Sequence, residues 1–343
     1  MFQVFATTDQ RLSLSRVPSH AERAEVLGCD GLLVPEAVHD GLLAAAAALR
    51  ATTRLRVGTG VLLAFPRSPM AVALAAWDLA EASGGRFELG LGSQVRGNLE
   101  GRYGVAWTAP VPRMREYVGA LRAIFASFQS GAPLRYEGEH YRLARLQPFF
   151  RPEPLAAPGI PIFLGAIGPA MTSLAGEVAD GLLTHPTSSA PRALRELARP
   201  KLARGAARAG REPVGVAIAA SPLVATGRDA AAVSRGRAAA RQLLGFLFST
   251  PAYWPSLALF GWRERGEALH RLSREGRWDA MAAEIDDAML DAFVPTAPYG
   301  ALADELAARY AGLAQRICLP LPDDPADDGA FAALVARLRG HGS

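Results

Sequence analysis

Several short stretches hold residue types that move protons or meet the polar edge of a ligand. In "VPEAVHD", Glu36, His39 and Asp40 share one loop, which puts a carboxylate and an imidazole where either could take part in proton transfer. Asp40 has a simpler use, since it stands directly before "GLLAAAAALR" and can cap that helix. In "RFELGLGSQVRG", residues 86–97, a buried-type apolar run ends at Gly92 and gives way to Ser93 and Gln94, hydrogen-bonding groups that suit a ligand edge. "LRVGTGVLLAFPRSP" carries Gly58 and Gly60 inside an apolar run, the mark of a bulge or of a close approach by a ligand or another backbone. In "LGAIGPAMTSLAG", Gly168 lets the chain turn and Pro169 fits the first turn of a helix, leaving free N–H groups that could hold a phosphate. Punctuation alone would use the same Gly-Pro pair. "GLLTHP" sets His185 just past another apolar run, where a lone histidine is more often structural than a ligand.

What is missing narrows the chemistry. There is no Ser-His-Asp order, no phosphate-loop consensus and no set of metal ligands at suitable spacing, which counts against hydrolases, kinases and metal sites. Cys29 and Cys318 are the only cysteines and lie far apart, so neither a zinc site nor a disulfide framework is expected and a reducing, cytoplasmic setting fits. The net charge of +4 is spread along the chain without a basic stripe, which speaks against nucleic acid as a partner. The longest uncharged stretch, 242–262, contains Pro251, Pro255 and several hydroxyl residues, and "MFQVFATTDQ" has no leader pattern, so no membrane association is expected.

The elements that must position these groups follow a repeating rhythm. "FQVFA", "GLLVPE", "LRVGTGVLLA", "FELGLG", "PIFLG", "GLLTH", "VGVAIAA" and "RICLPL" are apolar runs separated by helical patterns. Continuous runs without alternation are what strands buried on both faces show. Eight such units predict a (β/α)8 TIM barrel. A doubly wound open sheet is the rival, and the absence of G-x-G-x-x-G after the first strand places it second. The chain is read as one barrel domain over 1–343, with insertions at 131–161 and 249–293 that would shape the mouth at the carboxyl ends of the strands. The first insertion includes Glu137-Gly138 between aromatic segments, as in a hairpin.

"EAVHD", "GTGVLLAFPRSPM", "SGGRFELGLGSQVRG", "RMREYVGALRAIF", "GPAMTSLAGEVADGLLTH" and "STPAYWP", in this order, resemble the bacterial luciferase-like superfamily, and most of all its branch of coenzyme F420-dependent oxidoreductases. The resemblance implies a barrel holding a flavin, F420 or alternatively FMN, in its mouth, and a homodimer. It implies a non-prolyl cis peptide at Gly60–Val61 backing the ring, with Ser93 and Gln94 bordering it. Ala166, Ile167 and Gly168 would offer backbone N–H groups to the phosphate, with His185 nearby. Glu36 matches a position that is acidic in several relatives, and His39 follows it. Phe65, Trp107, Tyr253 and Trp254 would line the substrate side, although core or loop packing would use the same aromatics.

The sequence departs from the F420-dependent sugar-phosphate dehydrogenases of this superfamily, which carry a Glu and a Lys where Val95 and Ser188 stand here. The resemblance therefore implies hydride delivery from reduced F420 to an activated C=C or C=N bond of a small organic substrate, the proton coming from Glu36, His39 or water. An FMN-dependent monooxygenase and a non-catalytic flavin-binding barrel are the alternatives.

Overall fold

A computed structural model describes residues 1–157, 159–212 and 215–340. All eight apolar runs form strands: β1 (Gln3–Thr7), β2 (Gly31–Val34), β3 (Arg56–Thr59) with its short continuation β4 (Leu62–Leu63), β5 (Phe87–Gly92), and, after the hairpin strands β6 (Tyr136–Glu137) and β7 (Arg142–Leu143), β8 (Ile162–Gly165), β9 (Gly181–Leu183), β10 (Ala217–Ala220) and β11 (Arg316–Pro320). The barrel strands pair in parallel in the order β3-β2-β1-β11-β10-β9-β8-β5, and pairing of β3 with β5 closes the ring. The fold is thus the (β/α)8 barrel. Helices start where sequence chemistry permits. Asp40 accepts from the Leu42 and Leu43 amides, Ser68 accepts from Ala71, and Pro69, Pro110 and Pro169 each open a helix. The helix Pro110–Ser130 ends at Gly131, whose φ of +77° is one that only glycine adopts freely.

The barrel interior is filled. Phe5, Leu33, Phe163, Leu183, Ala219 and Cys318 form a buried cluster between the strands. At the amino end Glu88 accepts from Arg56 and from both Arg316 Nη atoms, and Arg316 Nε reaches Gln3 Oε1 at 2.7 Å. The Arg316 guanidinium lies over the Phe5 and Phe163 rings at 4.5 and 4.4 Å, so a buried charge is both paired and covered. A second apolar cluster, with Leu244, Phe248, Leu257, Leu269, Met281 and Phe293, belongs to the segment between β10 and β11. The expected insertion at 249–293 therefore shares its core with the preceding helix Ala230–Phe248, and a parallel bridge between Ala225 and Thr296 joins its two ends. The helix Asp328–Gly340 after β11 was not anticipated from sequence. Among the described residues no helix is long and apolar enough to cross a membrane.

Candidate active site

The carboxyl ends of the strands gather most of the candidate residues. Between β3 and β4 the chain bulges, and the Gly60–Val61 peptide is cis. The loop after β2 grips this bulge on both sides: Gly60 N donates to Val34 O at 2.8 Å, and Glu36 N donates to Val61 O at 3.2 Å. Glycines make room for the Val61 side chain. A Cβ on Gly92 would stand 2.5 Å from Val61 Cγ2, and one on Gly165 would stand 2.8 Å from Val61 Cγ1. Half-buried Val61 packs on the interior cluster below it, so the barrel ends in an apolar platform framed by β5 and β8.

The Glu36 side chain is 6% exposed and both its oxygens are engaged. Its Oε2 accepts from Leu63 N at 2.7 Å and Arg67 Nη1 at 2.9 Å, while Oε1 pairs with Arg67 Nη2 at 2.7 Å. Asp40 joins the same guanidinium at 2.6 Å. In this geometry both Glu36 oxygens act as acceptors, and the side chain clamps the segment after the bulge. His39, half-buried in the same loop, has no ring hydrogen bond.

At the end of β5, Gln94 adopts φ +61°, uncommon for a residue with a side chain and a signal of functional constraint. Its Oε1 turns back to accept from Val95 N at 2.9 Å. Val95 is 51% exposed, so this loop offers polar groups and backbone at the rim but no acid. At the end of β8, Ala166, Ile167 and Gly168 lead into the helix Pro169–Val178, whose N-terminus has no side-chain cap. After β9, His185 stacks on Tyr253 of the insertion, with ring centroids 4.6 Å apart and planes 23° apart. Burial pushes the His185 imidazole down to about 4, so the ring is neutral at pH 7. Its Nδ1 lies 2.8 Å from Thr187 Oγ1.

Not every aromatic expected at the substrate side is free for that use. Phe65 is 4% exposed and its ring lies under Arg113 at 4.4 Å. Trp254 donates to Phe248 O at 2.9 Å and meets His270 edge-on, which turns it into the insertion's own core. Both bury apolar surface instead of lining the mouth. Trp107 and Tyr253 stay half-buried. Sequence reasoning passed over Lys201, which lines a small pocket with Ala166, Ile167, Thr172, Ser188 and Ser256. The signal was available, because 36 of the 37 basic residues are arginine and Lys201 is the only lysine.

The closed barrel thus carries an apolar platform at the carboxyl ends of its strands, with polar groups at the rim, where barrels of this kind place their sites. The sequence model of the Luciferase-like monooxygenase family matches residues 1–316, and the chain belongs to this family. An uncharacterized Mycobacterium tuberculosis protein is 43% identical over 308 residues, 90% of each chain. A 5,10-methylenetetrahydromethanopterin reductase from Archaeoglobus fulgidus is 33% identical over 251 residues, covering 71% of this chain and 69% of its own. The solved coenzyme F420-dependent tetrahydromethanopterin reductase from Methanopyrus kandleri superposes with a TM-score of 0.82 at 20% identity, covering 100% of this chain and 99% of its own.

Proposed function

We propose that this chain is an F420-dependent oxidoreductase that reduces an activated C=C or C=N bond of a small organic substrate. The observation that carries the reading is the Val61 platform, held in the gap left by Gly92 and Gly165. A planar tricyclic ring fits such a surface, with Ser93 and Gln94 beside one edge. A Mycobacterium tuberculosis relative named as a putative coenzyme F420-dependent oxidoreductase, 33% identical over 253 residues, supports the same cofactor. When bound, reduced F420 supplies a hydride and no ready route to oxygen activation. The chain's own residues would support the ring, keep water from it and hold a proton nearby. With both Glu36 oxygens already accepting, His39 is the side chain left to donate that proton, and Glu36 serves to position the bulge.

The family's monooxygenase members support the second reading, in which FMN occupies the same platform. Absorbance titration of the purified protein with F420 and with FMN, followed by oxygen uptake, separates the two. Tight F420 binding without oxygen uptake is expected; FMN binding with oxygen consumption would overturn the F420 reading. Within it, H39A is expected to lower turnover and remove a limb of the pH–rate profile while leaving cofactor affinity unchanged.

A further inference from the structure

His185 stands two residues past the end of β9, and Leu183 of that strand pairs with Gly165, the glycine that faces Val61. Its imidazole is therefore held at the margin of the platform. One ring face stacks on Tyr253. Its Nδ1 caps the short turn Pro186–Ser188, accepting from Thr187 N at 3.4 Å and lying 2.8 Å from the Thr187 hydroxyl. A ring nitrogen that accepts from an amide carries no hydrogen, so the hydrogen of the neutral ring is on Nε2. Thr187 is fully buried and its hydroxyl has no other partner among the described residues, so it too gives its hydrogen to Nδ1. Nε2–H itself has no hydrogen-bond partner among the described residues, and it is not one of the buried unpartnered atoms, so it stays open to a ligand. Burial alone bears on the protonation of the ring, with no charged side chain acting on it. A donor held by a cap and a stack, and left without an acceptor, is half of a hydrogen bond that a substrate would complete.

The two kinds of activated bond differ in what they ask of such a donor. A C=N bond accepts hydride best as a protonated imine, whose nitrogen has no lone pair to offer and whose charge would call for an anion; none bears on this ring. A carbonyl oxygen conjugated to a C=C bond has lone pairs and gains negative charge as the bond is reduced. We propose that His185 is a catalytic residue whose Nε2–H holds the carbonyl oxygen of an α,β-unsaturated carbonyl compound, and that this is the substrate class the site reduces. The inference rests on the cofactor reading above. The β-carbon receives the hydride supplied by the reduced cofactor, the C=C electron pair shifts to leave an enolate with its charge largely on the oxygen at Nε2–H, and the α-carbon takes a proton from His39 or water. His185 keeps its own proton throughout. One fixed donor to a developing oxyanion is worth about 100-fold or more in kcat.

Two substitutions separate the roles of the two ring nitrogens. H185N puts a carbonyl oxygen near the place of Nδ1 and keeps the cap, but offers no donor at Nε2. H185Q carries its NH2 to the place of Nε2 and gives up the cap. The probes are cyclohex-2-enone and 4-phenylbut-3-en-2-one, with reduced F420 as the hydride source. H185N should melt close to wild type and lose about 100-fold in kcat with KM changed less than about three-fold. H185Q should melt lower and yet turn over at least about ten-fold faster than H185N. In protein labelled with 15N-histidine and loaded with F420, the Nε2–H signal missing from H185N should move when either ketone is added and stay put with cyclohexene. Turnover of H185N near that of wild type, H185Q slower than H185N, an unmoved Nε2–H signal, or F420 binding with neither ketone reduced would each overturn the inference and leave the cofactor reading intact. Failure of F420 to bind in the absorbance titration would sink the cofactor reading and this inference with it.

Discussion

Replacing Glu36 by Gln distinguishes a clamp from a proton donor. In the native arrangement one carboxylate takes Leu63 N and both Arg67 Nη atoms, at 2.7 to 2.9 Å. A glutamine can keep the amide contact to Leu63, but its NH2 faces a guanidinium that cannot accept. Breaking a buried ion pair from one side costs about 3–5 kcal/mol. The Arg67 side chain is 21% exposed and keeps Asp40, so E36Q should cost less than that range, about 2–3 kcal/mol. Because Glu36 grips the bulge through its backbone and its side chain, the variant should also weaken ring binding several-fold. Urea unfolding gives the first quantity and cofactor titration the second. A variant with native stability and native cofactor affinity but lost turnover would refute the clamp and restore Glu36 as the acid.

Two glycine substitutions should part in their effects. In G90A the new Cβ would stand 1.9 Å from the Thr59 carbonyl oxygen, a backbone atom that cannot step aside, and a loss of about 3 kcal/mol or more in urea unfolding is expected. In G92A the clash is with a methyl of half-buried Val61 and not with backbone, so stability should fall less, by about 1–2 kcal/mol, while ring affinity drops; equal stability losses would count against the platform. The His185 imidazole, lowered by burial from 6.5 to about 4, sets a pH dependence. On acidification the unfolded chain takes up the proton first, so the stability tied to neutral His185 is full above pH 6.5 and is lost as pH falls to about 4. Its upper limit is about 3 kcal/mol, read as the difference in acid sensitivity between wild type and H185F; identical curves would contradict the burial. At the other end of the barrel, E88Q leaves Arg316 and Arg56 without their carboxylate and should cost about 3–5 kcal/mol with cofactor affinity unchanged, a loss of affinity being the contrary result.

All eight strands were legible because burial on both faces leaves an unbroken apolar signature, and the hairpin at Glu137-Gly138 and the Pro169 helix start were legible because turn chemistry is local. The glycines of "GTGV" marked the bulge, but the side chain they accommodate, together with Gly92 and Gly165, came from the tertiary structure. Glu36 illustrates the limit. Its partner Arg67 is 31 residues away, and no periodicity records a pairing across a strand and a bulge. The aromatics of "STPAYWP" show the same limit, for adjacent Tyr253 and Trp254 face different neighbours, His185 and His270. The second core reached back into the helix Ala230–Phe248 because that helix serves the insertion as well as the barrel.

The packed interior also fixes how a ligand can approach. From the Glu88–Arg316 pair through Phe5, Phe163 and Leu183 up to Val61, the space between the strands is occupied, so a flat ring must lie across the mouth and cannot enter the barrel. One of its faces would then rest on Val61, and substrate could meet only the other. With Ser93 and Gln94 at one edge and the β8 loop at another, turning the ring over would exchange its polar edges and forfeit those contacts. Hydride transfer is therefore expected on a single face. Reduced F420 carrying deuterium on one face of C5 should deliver it to product completely or not at all. Equal transfer of deuterium and hydrogen from such a cofactor would mean that the ring is reached from both sides, and the platform would have to be given up.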